Sequence, residues 1–141
     1  MSHLSLADNV LVIQDTAPQI ASANVTGANI DMQGWDGCMF EFNIGAMASG
    51  ATFTSTVYQS ANANMSGSGP IPNATLTSVA NTGNTNVYLL DVWGPTTRYV
   101  RCTAVPAVGN VAFAATATRY RRIGDLPQPQ SAQQVVLVSE S

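Results

Sequence analysis

Residue types able to carry acid–base or nucleophilic chemistry are scarce in this chain of 141 residues. The one histidine, His3, lies in what reads as a flexible N-terminal arm. A Ser/His/Asp or Cys/His arrangement would have to recruit it from there. The two cysteines, Cys38 and Cys102, each sit in an alternating apolar run. They read as small buried hydrophobes with free thiols; a disulfide is the alternative, since both could face one core, though a reducing cytoplasm disfavours it, and neither has a third metal ligand nearby. Asp31, Asp36 and Glu41 could supply the paired carboxylates of a glycosidase. Glu41, however, is an outward residue of its strand, and the two aspartates flank turns, where a carboxylate bonds to backbone. No Gly-rich loop leads into a helix to cradle a phosphate. The expectation is no catalytic residue, no cofactor and no metal: a protein that is not an enzyme.

Residues suited to binding are better represented. Trp35 and Trp93 occupy turns, as Gly-Trp-Asp-Gly and Trp-Gly-Pro. Aromatics at strand ends can stack on sugars, as in a carbohydrate-binding module. The stronger expectation is that each ring caps one end of an apolar core. All five arginines lie after residue 97, with two acids, while residues 1–97 hold six acids and no Lys or Arg. The four-residue connection 93–96 would set Asp91 opposite Arg98 in a hairpin, a pair contributing roughly 0.2–1 kcal/mol. Arg119, Arg121 and Arg122 have no local acid except Asp125. The guanidinium fork is favoured at protein interfaces, so these three read as contacts to an acidic partner surface.

The elements that must position these residues are strands. Charged residues make up 9% of the chain, against roughly 25% ordinarily. There is no lysine, and Asn, Ser, Thr and Gln fill the polar quota. Exposed helix faces favour Glu, Lys and Arg, so this composition argues for strands and polar turns. Short period-2 runs predict strands over 9–14, 28–33, 38–46, 52–59, 74–80, 86–92, 97–105 and 110–120. In the clearest run Cys38, Phe40, Phe42 and Ile44 point inward, and Met39, Glu41 and Asn43 outward. Residues 46–50 read as a hairpin loop, 17–27 as irregular and 60–73 as a surface loop. The Pro/Gln-rich stretch 124–133 then leads to a detached apolar run, Val135-Val136-Leu137-Val138. The reading is all-β: one antiparallel β-sandwich or jelly roll over 9–123, with an N-terminal arm (1–8) and a C-terminal arm (124–141). The arm's apolar run is expected to dock on an adjacent subunit or on the floor of a partner surface, beside Arg119, Arg121 and Arg122.

The segment Asn86-Val-Tyr-Leu-Leu-Asp-Val-Trp-Gly-Pro-Thr-Thr-Arg-Tyr-Val-Arg-Cys-Thr and the basic tract Thr118-Arg-Tyr-Arg-Arg carry a resemblance. They resemble small head-region proteins of tailed bacteriophages, several of which look like capsid decoration (cement) proteins. The likeness covers residues 86–122 in sequence and about 37–125 in strand layout. It implies an all-β, often trimeric protein with no catalytic residues, placed on the outer face of the major capsid protein lattice. Its place would be the outer capsid surface of a virion, after synthesis in a bacterial host cytoplasm; the sparse charge agrees with a subunit partly covered by others. Net charge is −3, which disfavours nucleic acid as a partner, and no segment has the length of a membrane span. Two alternatives stand beside this expectation: a carbohydrate- or receptor-binding module of a virion built on Trp35 and Trp93, and another head or tail structural component.

Overall fold

Uncharged, β-branched and alternating segments favour a pleated, half-buried surface, and strands are what they form. The computed structural model describes residues 9–81 and 86–121, and the main chain of 131–137. The strands are β1 (Val10–Ala21), β2 (Val25–Thr26), β3 (Ile30–Asp31), β4 (Gly37–Met47), β5 (Thr52–Ser60), β6 (Gly69–Ala80), β7 (Val87–Trp93), β8 (Tyr99–Ala107), β9 (Val111–Tyr120) and β10 (Ser131–Leu137). One sheet has the order β1-β9-β4-β7-β10. The other has β2-β8-β5-β6, with β3 also on β8. Every pairing is antiparallel. The fold is a β-sandwich.

The inward faces agree with the alternation. Cys38, Phe40, Phe42 and Ile44 of β4 are buried. They meet Phe53 and Val57 of β5, Leu90 and Val92 of β7, Val100 and Cys102 of β8, and Phe113 of β9. The Phe53 ring links both layers: its centroid lies 5.8 Å from Phe42 and 5.0 Å from Phe113, in tilted, edge-like contacts favourable to aromatic quadrupoles. Both thiols are free and buried.

The connections differ from the expectation. Residues 46–50 do not close a hairpin, because β4 and β5 belong to opposite sheets. The 93–96 connection likewise carries the chain from β7 in one sheet to β8 in the other. Among the described residues, β5–β6 is the one pair of strands adjacent both in sequence and in a sheet. A turn signal records that the chain reverses. It does not record whether the next strand returns beside its predecessor or across the core from it.

Two segments read as irregular are also partly strand. β1 continues to Ala21 through register shifts between Gln14 and Thr16 and between Thr16 and Gln19. Residues 69–73 belong to β6, Pro70 and Pro72 included. Both are edge strands, and there a proline leaves no ladder donor missing. The remaining loop is ordered by its own side chains: Ser60 Oγ donates to the Ser66 carbonyl (2.6 Å) and accepts from Asn62 N–H. Met65 is buried at the loop's centre. The predicted strand 28–33 shortens to β3.

The bulge in β1 puts two consecutive residues, Asp15 and Thr16, inside. The Asp15 carboxylate accepts from Ala28 N–H (3.1 Å), the Thr16 hydroxyl (3.2 Å) and the Cys102 thiol (2.9 Å). It therefore joins the β1 edge of one sheet to β8 of the other. Gly27 leaves room for it, since a Cβ there would overlap the carboxylate. Burial raises the Asp15 pKa and outweighs the three donors, which lower it. A raised acid favours the fold at low pH, and that contribution is lost as pH rises through the folded value.

The C-terminal run is not a detached arm. The main chain of β10 pairs with β7 of its own chain along its whole length, from Ser131 opposite Trp93 to Leu137 opposite Val87, and it runs close to β6 of the other sheet. Val135 and Val136 pair with Leu89 and Tyr88. The expected docking on a neighbour is corrected for this main chain: the nearest open edge in need of a partner is the outer edge of β7. The domain boundary at 123/124 accordingly does not separate residues 131–137 from the sandwich. The arm 1–8, Arg122 and Val138 lie outside the described residues. Truncation after Gln130 is expected to lower the melting temperature and to cause concentration-dependent association, because β7 becomes an uncovered edge. Unchanged melting and a monodisperse truncated chain would show that β10 contributes nothing there.

Candidate functional site

One end of the sandwich gathers most of the polar residues singled out by type. The strand registers place Val10, Tyr120, Gly37, Trp93 and Ser131 on one row across the sheet. The loop from β3 to β4 covers this end. Ile30 anchors it in the core. The Asp31 carboxylate accepts from Gln33 N–H (2.9 Å), an Asx turn, and Trp35 N–H closes the turn onto the Met32 carbonyl (3.0 Å). Trp35 is thereby set half-buried against the core.

On this loop a chain of stacked and bonded groups crosses from one sheet to the other. Arg98 grips Asp31 with two bonds, Nε to Oδ1 at 2.9 Å and Nη2 to Oδ2 at 2.8 Å. The Arg98 guanidinium also lies 5.2 Å from the Tyr99 ring centre. Arg119, on β9, donates to the Asp31 carbonyl (2.8 Å) and lies over the Trp35 ring at 5.3 Å. Arg121 lies over the same ring at 4.7 Å. The order is Tyr99, Arg98, Asp31, Arg119, Trp35, Arg121. Cation–aromatic contacts of this kind contribute roughly 0.5–1 kcal/mol each when exposed, and more when desolvated. The Arg98 hydrogen bonds, with Gln33 N–H second, hold the Asp31 carboxyl down at about 2. The pair is solvent-exposed, so it is screened by salt.

Behind this chain, Tyr120 donates its hydroxyl to Asp91 at 2.6 Å. Burial pushes both groups upward; for Tyr120 the neighbouring carboxylate adds to the shift. The Tyr120 ring rests where a Cβ of residue 37 would be, so only glycine fits there. Beside Trp35 is an open depression of about 440 Å³, lined among others by Gln33, Asp36, Pro95, Thr97 and Arg98. The Thr97 hydroxyl is buried there with no partner.

Arg119, Arg121 and Trp35, read separately from sequence, are thus brought together. Trp35 caps the core, as expected of it. Trp93 is half-buried on β7 and is not among the residues lining the depression. The expected Asp91–Arg98 pair does not form, because their strands lie in different sheets; Arg98 takes Asp31 and Asp91 takes Tyr120. Arg101 reaches Asn29 at 3.5 Å, at the margin of a hydrogen bond. Val135, Val136 and Leu137 pair with the half of β7 remote from this end, not beside the arginines. Glu41 is four residues along β4 from Gly37, facing Thr116 and Leu89 across the sheet, so it forms no carboxylate pair with Asp31. Among the described residues no group of three His, Cys, Asp or Glu side chains is placed to hold a metal ion. Sequence reasoning missed Asp31 as the hub. Its partners lie 67 and 88 residues away, and no local signal joins them.

Compared with protein families, curated proteins and solved structures, the chain matches none.

The pH dependence of the hub has a definite sign. A carboxylate with a lowered folded value stabilises above its ordinary range near 4, and that stabilisation is lost as pH falls toward about 2. The melting-temperature gap between wild type and Asp31→Asn should therefore be full at about pH 6 and close between about pH 4 and 2. A gap of equal size at both ends of that range would mean that the ion pair does not contribute.

Proposed function

We propose that this chain is a non-enzymatic bacteriophage virion protein that decorates and stabilises the capsid. It would act as a homotrimer bound to the outer surface of the major capsid protein lattice. The observation that carries this reading is the cation–aromatic end of the sandwich: Arg119 and Arg121 lie over Trp35, at the edge of an open depression. Tryptophan and arginine are the side chains that most often dominate binding at protein interfaces. The hairpin and basic tract of residues 86–122 and the low charge content support the same reading. Repetition over a lattice multiplies a weak contact through avidity, so no single subunit needs a large interface.

A second reading, a carbohydrate- or receptor-binding module, is favoured by the depression itself, where amide, carboxylate, hydroxyl and aromatic groups stand together. Against it, Arg119 and Arg121 both lie over the Trp35 ring, and a sugar stacks on a free ring face.

Co-sedimentation with empty phage heads separates the two. Wild type should pellet with heads in a saturable manner. Trp35→Ala should pellet at least several-fold less, with little loss on a glycan array. Wild-type protein that stays in the supernatant contradicts the capsid reading. Glycan binding lost in Trp35→Ala supports the second.

A further inference from the structure

The three arginines of this end are not equivalent. Arg98 is saturated on its carboxylate side by Asp31. Arg119 is half-buried and spends a donor on the Asp31 carbonyl, with its Nε buried and without a partner. Arg121 differs from both. Its main-chain N–H bonds to Asn9, its guanidinium lies 4.7 Å from the Trp35 ring centre, and among the described residues none accepts a hydrogen bond from its side chain. The residue is exposed.

A guanidinium laid on an aromatic face is held without using its in-plane N–H groups, which are the ones that grip a carboxylate in a fork. Holding it beforehand lowers the entropy lost on binding. The chain behind it is anchored at Asp31, so Arg121 stands at its outer, unsatisfied end.

We propose that Arg121, staged on Trp35, is the receptor for an aspartate or glutamate side chain of a partner protein. This rests on the reading of this end as a protein-docking surface and adds the chemistry of the group received there. Asp36 is the acid of the same loop, so the partner's carboxylate approaches from the Arg121 side of the ring rather than through the depression that Asp36 lines.

The test reads the arginine Nε–Hε signals of the ¹⁵N-labelled full chain in phosphate-free buffer, assigned by single Arg→Lys changes. The probe is a short peptide, blocked at both ends, with two adjacent glutamates; its twin carries glutamines. The Arg121 signal should shift saturably with the glutamate peptide and stay still with the glutamine one. The Arg98 signal, already paired, should move little. Arg121→Gln, read through the remaining signals and backbone amides, should stay folded with a melting temperature within a few degrees of wild type, and weaken peptide binding about ten-fold, the effect of losing a charge-assisted bond. Trp35→Leu should weaken binding with Arg121 still present. Equal shifts with both peptides, an Arg98 shift as large as that of Arg121, or no shift up to roughly tens of millimolar peptide overturns the proposal. The outcomes also separate the two proposals: peptide binding without head binding removes the capsid reading alone, and head binding without peptide binding removes this one alone.

Discussion

The carboxylate of Asp31 holds Arg98 by two hydrogen bonds, while its main-chain carbonyl accepts from Arg119. Those partners belong to opposite layers: Arg98 adjoins β8, to which β3 also pairs, and Arg119 lies on β9. One residue therefore ties the sheets at their end and fixes where two guanidinium groups stand. Trp35 follows from this, because the turn that begins with the Asp31–Gln33 bond delivers the ring to Arg119 and Arg121. The exposed ion pair by itself is a weak contact. Its effect is to orient groups that would otherwise sample many rotamers.

The sandwich is closed at its two sides by different means. On one side the bulge of β1 turns Asp15 inward, and Ala28 N–H and the Cys102 thiol meet it from the opposite layer. On the other side β10 fills the open edge of β7 and runs close to β6. Both devices manage edges, which in a sandwich are the places most prone to unwanted pairing. Among the described residues no strand pairs with the outer edge of β1, and Leu11, Val12 and Ile20 are exposed on that strand. Its pairing run is interrupted by the register shifts around Thr16, and Pro18 offers no donor there.

The inward faces of the main strands and the all-β class were legible because period-2 alternation is a local property: Cys38, Phe40, Phe42 and Ile44 display it within seven residues, whereas β2 and β10 gave no such signal. The layer each strand joins was not legible. Turns such as 46–50 and 93–96 look alike whether the chain folds back in one sheet or crosses to the other. That missing information misassigned the partner of Arg98. Pro18, Pro70 and Pro72 lie in segments read as irregular or loop, and edge position, which only the sheet order reveals, permits them in β1 and β6. At the site, residue types were informative and pairings were not. Tryptophan and clustered arginine drew attention to this end of the sandwich, but the contacts Asp31–Arg98, Asp31–Arg119 and Asp91–Tyr120 span 67, 88 and 29 residues.

Trp35 stages Arg121 rather than merely neighbouring it. ¹⁵N relaxation of the arginine Nε groups, compared between wild type and Trp35→Leu, tests this most directly. Arg121 Nε should be restrained in the wild type and freely averaged in Trp35→Leu, with Arg101 unchanged in both. An Arg121 side chain as mobile in the wild type as in the variant would contradict it.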